Sequence, residues 1–255
     1  ASASADGKVK LWSTINGKIF HTLLGNKSDV ISLVFSSDSK TIISASDNGI
    51  VKLWSVSSGE LIKTLSINKS PIHSVKISSN GKVIASAFAD GKIRLWSVSN
   101  GKVLKTLSVN KSHIKNLEFS GDNQIIASAS ADGNINLWSV TNGKLLKTLS
   151  GHSSEIDSVE FSNDGETIAS VSKDNTIKLW SIDGELLHTL SGLSMIFSSD
   201  GETIASASKD NTIKLWSVEK NKLIQSLSGH KNWVRSATFS PDGKIIASAS
   251  DDKTV

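Results

Sequence analysis

Within GHSSEIDSVEFSNDGETIASVSKDNTIKLWS, Gly151 to Ser181, a histidine, several serines, aspartates and a tryptophan stand close together. Serine, histidine and aspartate are the residue types of nucleophilic acyl transfer, in which the imidazole takes the hydroxyl proton and the carboxylate holds the imidazole. Two features count against that chemistry. The trio recurs along the chain, and no oxyanion donor is evident beside it. Metal binding is no better served: the six histidines show no close paired spacing, and His21 and His188 fall on outer strands. The Asp-Gly and Asn-Gly pairs lack the run of spaced carboxylates that a calcium loop needs, and no glycine-rich phosphate loop is present. The expectation is no enzyme, no metal and no cofactor.

The elements that carry these residues repeat. A Leu-Trp pair recurs at Trp12, Trp54, Trp96, Trp138, Trp180 and Trp216, spaced by 42 residues and, in the last interval, by 36. A fixed period of this size marks stacked or radially arranged supersecondary units. Within one unit, SVEFS, TIASVS, TIKLWS and LLHTLS are short β-prone runs separated by Asn-Asp-Gly, Lys-Asp-Asn and Asp-Gly turns. Asn-Gly and Asp-Gly between such runs are strong hairpin signals, and nothing has helical periodicity. Each unit therefore reads as a four-stranded antiparallel meander, with strands a to d from the axis outward. Apolar residues fall on both faces, so one meander cannot bury itself, and blades packed face to face round an axis solve that problem. The fold class is all-β, a β-propeller of four-stranded antiparallel blades. Six blades are favoured, or seven if flanking residues are missing.

The units run 25–66, 67–108, 109–150, 151–191 and 192–228 in a single domain, 1–255. The closing blade joins 1–24 to 229–255, the N-terminal c and d strands completing the C-terminal a and b strands. ASASADGKV (1–9) and ASASDDKTV (247–255) duplicate one segment, so one copy is displaced or further repeats exist. In the fifth unit SGLSMIFS stands where its neighbour has SGHSSEIDSVEFS. About five residues of the d–a turn are absent, by true deletion or by a loop closed up in the numbering. The chain opens in mid-repeat and its one methionine is Met195, so it is expected to be part of a larger polypeptide.

Composition narrows the class. At 38% hydrophobic and 20% charged the chain is globular rather than disordered. No cysteine is present, which suits a reducing compartment and a cytoplasmic location. No apolar run is long enough to span a membrane. The net charge of +4 comes almost wholly from lysines at repeat-periodic positions, such as Lys63, Lys105 and Lys147. A scattered distribution of this kind argues against a nucleic-acid face.

The combination of Gly-His, an FSxDGK-like turn and ASxSxDxxIxLW resembles the WD-repeat β-propeller family in its bacterial, highly regular form. The aspartate that would follow each tryptophan is serine in every copy, at Ser13, Ser55, Ser97, Ser139, Ser181 and Ser217. The resemblance implies a buried relay in each blade, formed by a histidine of the d–a turn, a serine of strand b, an aspartate before strand c, and the tryptophan. The complete set would be His152, Ser172, Asp174 and Trp180. Ser130, Asp132 and Trp138 would lack the histidine, with Asn110 in its place. Asn26, Ser46, Asn48 and Trp54 would form an altered set. Asn68, Phe88, Asp90 and Trp96 would form another, in which Phe88 cannot accept the indole proton. Ser208, Asp210 and Trp216 would have lost their histidine. His230 would meet Trp12, with Ser4 and Asp6 competing against Ser250 and Asp252. The resemblance also implies the sensor or scaffold end of a larger bacterial signalling protein.

Six tryptophans occupy one repeat position and read as core. Trp233 does not: it opens strand a, where other units carry Asp29, Pro71, His113 and Glu155. It either packs on a neighbouring loop or, beside Arg235, forms the kind of pair enriched at binding hot spots. Residues that differ between repeats should carry function, since shared ones build the scaffold. On the rim of d–a and b–c turns these are Asp29, Ile31, Pro71, His73, His113, Lys115, Glu155, Asp157, Trp233 and Arg235, with Asp47, Lys173, Lys209 and Asp251 of the b–c turns. The expected function is a non-catalytic protein- or peptide-binding scaffold or sensor, anchored by Trp233 and Arg235. The alternative is a purely structural or engineered array. A propeller enzyme would need unpaired acids or bases at the channel, and a nucleic-acid binder would need lysines gathered on one face.

Overall fold

The computed structural model describes residues 1–66, 70–108, 112–220 and 222–255, so Asn68 and Asn110 lie outside the described residues. Every regular element among the described residues is a β-strand, and no helix is long and apolar enough to cross a membrane. Five four-stranded meanders span 30–65, 72–108, 114–150, 156–191 and 194–228, each ordered a-b-c-d by sequence. The chain groups into two compact units, residues 1–130 with 136–146, and residues 131–135 with 147–255.

The first hairpin of each meander owes its turn to one motif. Ser162 Oγ meets Asp164 Oδ1 at 2.5 Å and accepts Thr167 N at 3.0 Å, while Gly165 N closes the turn on Ser162 O at 2.9 Å. Ser36–Asp38–Thr41, Ser120–Asp122–Ile125, Ser198–Asp200–Thr203 and Ser240–Asp242–Ile245 repeat it. The serine hydroxyl satisfies a backbone donor that the tight turn would otherwise strand.

Burial falls from strand a and b to strand d. Thr167–Ser172 is buried along nearly all its length, whereas Leu186–Ser191 hides only Leu190 fully. Strand b, covered on both faces, therefore carries a run of small and branched residues rather than an alternation. Its alanines (Ala45, Ala87, Ala129, Ala169, Ala205) are wholly buried. In the first unit, Ile43, Val51, Leu53 and Leu65 of one meander pack with Ile72, Ile84, Phe88 and Trp96 of the next. In the second, Val171, Ile177, Leu179 and Leu190 pack with Met195, Phe197 and Ile204.

Outer contacts lock successive meanders within each unit. His21 meets Ser57 O at 3.0 Å, Lys63 donates to Ser99 O at 2.7 Å, and Lys147 donates to Asp183 O. Gly101 takes φ +72° in the turn under Lys63, where a Cβ would sit 2.9 Å from the lysine Cδ. Glycine is required there both for its dihedral and for the close approach. The repeat-periodic lysines thus serve partly as staples.

The ends pair differently from the expected closing blade. Val9–Trp12 pairs with Ser2–Ala3 on one side and Ile19–Leu23 on the other, and Val234–Phe239 pairs with Ile246–Ser250. The N-terminal copy of the duplicated segment takes the strand-b place beside its own strand c. A local turn through Asp6-Gly7 closes that hairpin at small loop-closure cost. His230 accordingly meets Ser248 and Asp252, whereas Trp12 donates to Ser2 at 2.8 Å. In the 194–228 meander only Gly192 and Leu193 separate strands d and a.

Candidate functional site

Two constellations carry the polar chemistry, one inside the meanders and one on the rim. In the interior relay, Asp174 can only accept, so His152 donates its Nδ1 proton to Asp174 Oδ2 at 2.9 Å. Nε2 is then an acceptor and takes the hydroxyl proton of Ser170 at 2.8 Å, and Ser170 in turn accepts Trp180 Nε1–H at 2.9 Å. Burial lowers the His152 pKa from its ordinary value, against the opposing pull of Asp174, so the ring stays neutral. Burial alone would raise Asp174, but hydrogen bonds from Thr176, Ser153 N and His152 outweigh it and hold the carboxyl far below the usual range.

This geometry matches that of a catalytic triad, yet Ser170 is fully buried and its lone pair is engaged by an indole. No substrate can reach it.

The relay serine differs from the expected one. Trp54, Trp96, Trp138 and Trp216 donate to Ser44, Ser86, Ser128 and Ser206, as Trp180 does to Ser170. Ser46, Ser130, Ser172 and Ser208 are not the acceptors. Ile168 stands directly opposite Trp180. Ser170 is one diagonal step away on the same face, within reach of an indole. Ser172 lies two steps away, roughly 13 Å along the strand, and is out of reach. It donates instead to Ser154 O at 3.2 Å. Ser130 Oγ is buried without a partner among the described residues, Ser208 accepts Asp210 N at 3.4 Å, and Asp132 accepts Asn134 N at 3.1 Å. Asp210 pairs with Lys214 at 2.5 Å. Phe88 does no harm, because Ser86 accepts the indole proton, and the Arg94 guanidinium stacks on Phe88 at 4.2 Å. The missed signal was in the sequence: a serine stands ten residues before each of the six tryptophans of the Leu-Trp pairs.

Asn26 occupies the histidine place in its meander. Its Oδ1 accepts Ser44 Oγ at 3.3 Å, but its Nδ2 is buried without a partner among the described residues. Replacing Asn26→His together with Asn48→Asp should supply both missing links. A stabilisation of about 1–2 kcal/mol is expected, read as a higher urea midpoint at unchanged slope. A midpoint at or below wild type would contradict the relay logic.

The rim is positioned by a repeated β-bulge. Strand a slips register between Val30 and Ser32, Ile72 and Ser74, Ile114 and Asn116, Ile156 and Ser158, and Val234 and Ser236. The residues at the bulge are Ile31, His73, Lys115, Asp157 and Arg235, all of which vary between repeats. A bulge leaves one residue unpaired and re-aims its side chain. The b–c turn lies alongside: Asp47 N, Ala89 N, Lys173 N and Asp251 N bond to the carbonyls of Asp29, Pro71, Glu155 and Trp233 at 2.8–3.0 Å.

In the first unit the His73 and His113 rings meet edge to face with centroids 6.2 Å apart. Burial, then the neighbouring His113 and Lys115 charges, lower the His73 pKa. In the second unit Lys173 pairs with Glu155 at 2.6 Å, with Asp157 exposed nearby. Arg235 forms a two-pronged pair with Asp251 at 2.9 and 2.6 Å. Trp233 is 38% exposed and lies beneath two cations, Lys209 Nζ at 4.9 Å and Arg235 Cζ at 5.0 Å from its ring. Among the described residues no group of three or more His, Cys, Asp or Glu is placed to hold a metal ion.

Comparison with known families finds repeat and propeller models that match the chain. Residues 39–192 match the second β-propeller of echinoderm microtubule-associated proteins. Residues 17–55, 184–217 and 221–255 match the WD domain, G-beta repeat. No curated protein matches the chain.

Proposed function

The chain belongs to the WD-repeat β-propeller family, and we propose that it is a non-catalytic module that docks a protein or peptide segment on the rim of bulges and b–c turns. Propellers of this family generally act as protein-interaction scaffolds. Trp233 and Arg235 are the anchors, and Lys173, Lys209, Glu155 and Asp157 complete the rim around them. His73, Lys115 and His113 are the corresponding rim positions of the first unit.

One observation carries the assignment. Of seven tryptophans, Trp233 alone lies outside the Leu-Trp position, and it is held in the open by cations rather than buried as core. Aromatic and arginine side chains displayed in this way are the residue types that dominate binding energy at interfaces. The interior relay leaves no group free for catalysis, since its serine is enclosed and its histidine is bonded on both ring nitrogens.

The test is selection of random dodecapeptides displayed on phage against the intact chain, followed by binding to a Trp233→Ala/Arg235→Ala variant. Selected peptides should lose about 100-fold or more in affinity for the variant, the scale of two hot-spot truncations. Circular dichroism melting should show that the variant keeps its fold. Equal affinity for both chains, or no peptide selected, would refute the reading.

A further inference from the structure

Lys209 is a cation without its repeat partner. At the same place in the preceding meander Lys173 is neutralised by Glu155, which enters strand a just before the bulge. The shortened unit has lost that stretch. Ser194 pairs with Ala207 and Phe197 with Ile204 in unbroken register, with no bulge, and Leu193 N bonds directly to Ala207 O at 2.7 Å. Neither a glutamate at the strand entry nor a bulged acid remains to meet the lysine. Among the described residues Lys209 forms no ion pair, and its ammonium leans over the Trp233 ring of the following sheet. Asp251 offsets the charge of Arg235 through the two-pronged pair. The cluster of Lys209, Trp233, Arg235 and Asp251 is therefore left with one uncompensated positive charge beside an exposed indole.

We infer that this cluster takes an acidic segment of a partner protein, one carboxylate pairing with Lys209 while the neighbouring apolar side chain covers Trp233. The inference rests on the docking function proposed above and specifies the chemistry of the ligand. A cationic ligand is disfavoured, because Lys209 and Arg235 already supply the cations that the indole attracts, and a third would meet like charge. An anion instead restores the balance that Glu155 supplies to Lys173. The two departures from the repeat, the lost turn and the extra tryptophan, thus meet at one spot and suit one ligand.

The dodecapeptides selected on the wild-type chain provide the probe. They should be enriched in Asp and Glu next to an apolar residue. Lys209→Glu should weaken them about tenfold or more, and Gln-for-Glu versions of the same peptides should bind the wild type correspondingly less. Reselection on the Lys209→Glu chain should turn the preference towards Lys and Arg. If the peptides show no acidic enrichment, or Lys209→Glu binds them as wild type does, the inference falls. The docking reading survives that result provided Trp233→Ala/Arg235→Ala still abolishes binding. If the double variant also binds normally, both fail.

Discussion

Trp96→Ala should lower the unfolding free energy by about 3–5 kcal/mol, the range for truncating a large aromatic in a packed core. Trp96 is almost fully buried among Leu53, Leu65, Ile72, Val75 and Ile84, where two successive meanders of the first unit meet. Its indole also donates to Ser86 Oγ at 2.7 Å. Truncation removes the ring that both sheets share, and the rigid strand backbones on either side cannot collapse into the space. Trp96→Phe separates the two contributions. It keeps most of the ring but not the N–H, and should cost about 1 kcal/mol for the hydrogen bond together with a smaller packing loss. Trp12 provides the internal control. It makes the same bond to Ser2 but is 42% exposed, so Trp12→Ala should cost much less than Trp96→Ala. Urea denaturation with the slope checked for constancy gives the comparison. Equal losses at positions 12 and 96 would mean that the indoles are not the shared core of adjacent meanders.

Much of the architecture was legible because its determinants are local. Asp-Gly and Asn-Gly turns, strand-length runs and the Leu-Trp period lie within a few residues of what they specify, and the meanders follow from them. The relay was legible in kind but not in register. The serines at 170 and 172 face the same side of one strand, and only the pairing of Ile168 with Trp180 decides which the indole can reach. The serine ten residues before each tryptophan of a Leu-Trp pair held that answer. The rim residues stood out because they vary between repeats, while their partners did not. Whether Arg235 turns to Asp251, or Lys209 to Trp233, depends on a bulge that inserts one residue into strand a and on its loss in the shortened unit. The strand pairing at the ends depended on a choice between two copies of one segment, which their shared Ala-Ser-Ala-Ser stretch cannot reveal. Proximity made the choice, with Ser2 rather than Ser248 serving Trp12.

Asp174→Ala should cost about 3 kcal/mol at pH 7, because one carboxylate organises several donors at once. It receives His152 Nδ1 at 2.9 Å, Ser153 N at 3.0 Å, Thr176 N at 2.9 Å and Thr176 Oγ1 at 2.6 Å. Hydrogen bonds to a charged acceptor are individually worth about 1.5–3 kcal/mol, and buried donors left without partners add their desolvation cost. Water reaches Thr176 and Ser153 more readily than His152 and replaces most of their bonds in the variant, which keeps the total well below the sum over the individual bonds. The pH dependence gives the sharper signature. Asp174 has a depressed pKa, so its contribution is complete above its ordinary value of 3.8 and is lost as pH falls through the lower folded value. The penalty of the substitution should therefore shrink only in strong acid. His152 acts from another window. Held neutral by burial, it stabilises the fold above its ordinary value of 6.5, and that stability declines as pH falls below it, since the unfolded chain binds the proton first. Removing Asp174 deletes the main group that opposes this depression, so the variant should lose stability more steeply than wild type between pH 6.5 and 5. His152→Asn, which copies the natural Asn26 arrangement, should flatten the same slope. Parallel curves for wild type, Asp174→Ala and His152→Asn across that window would show that the imidazole and the carboxylate are not coupled.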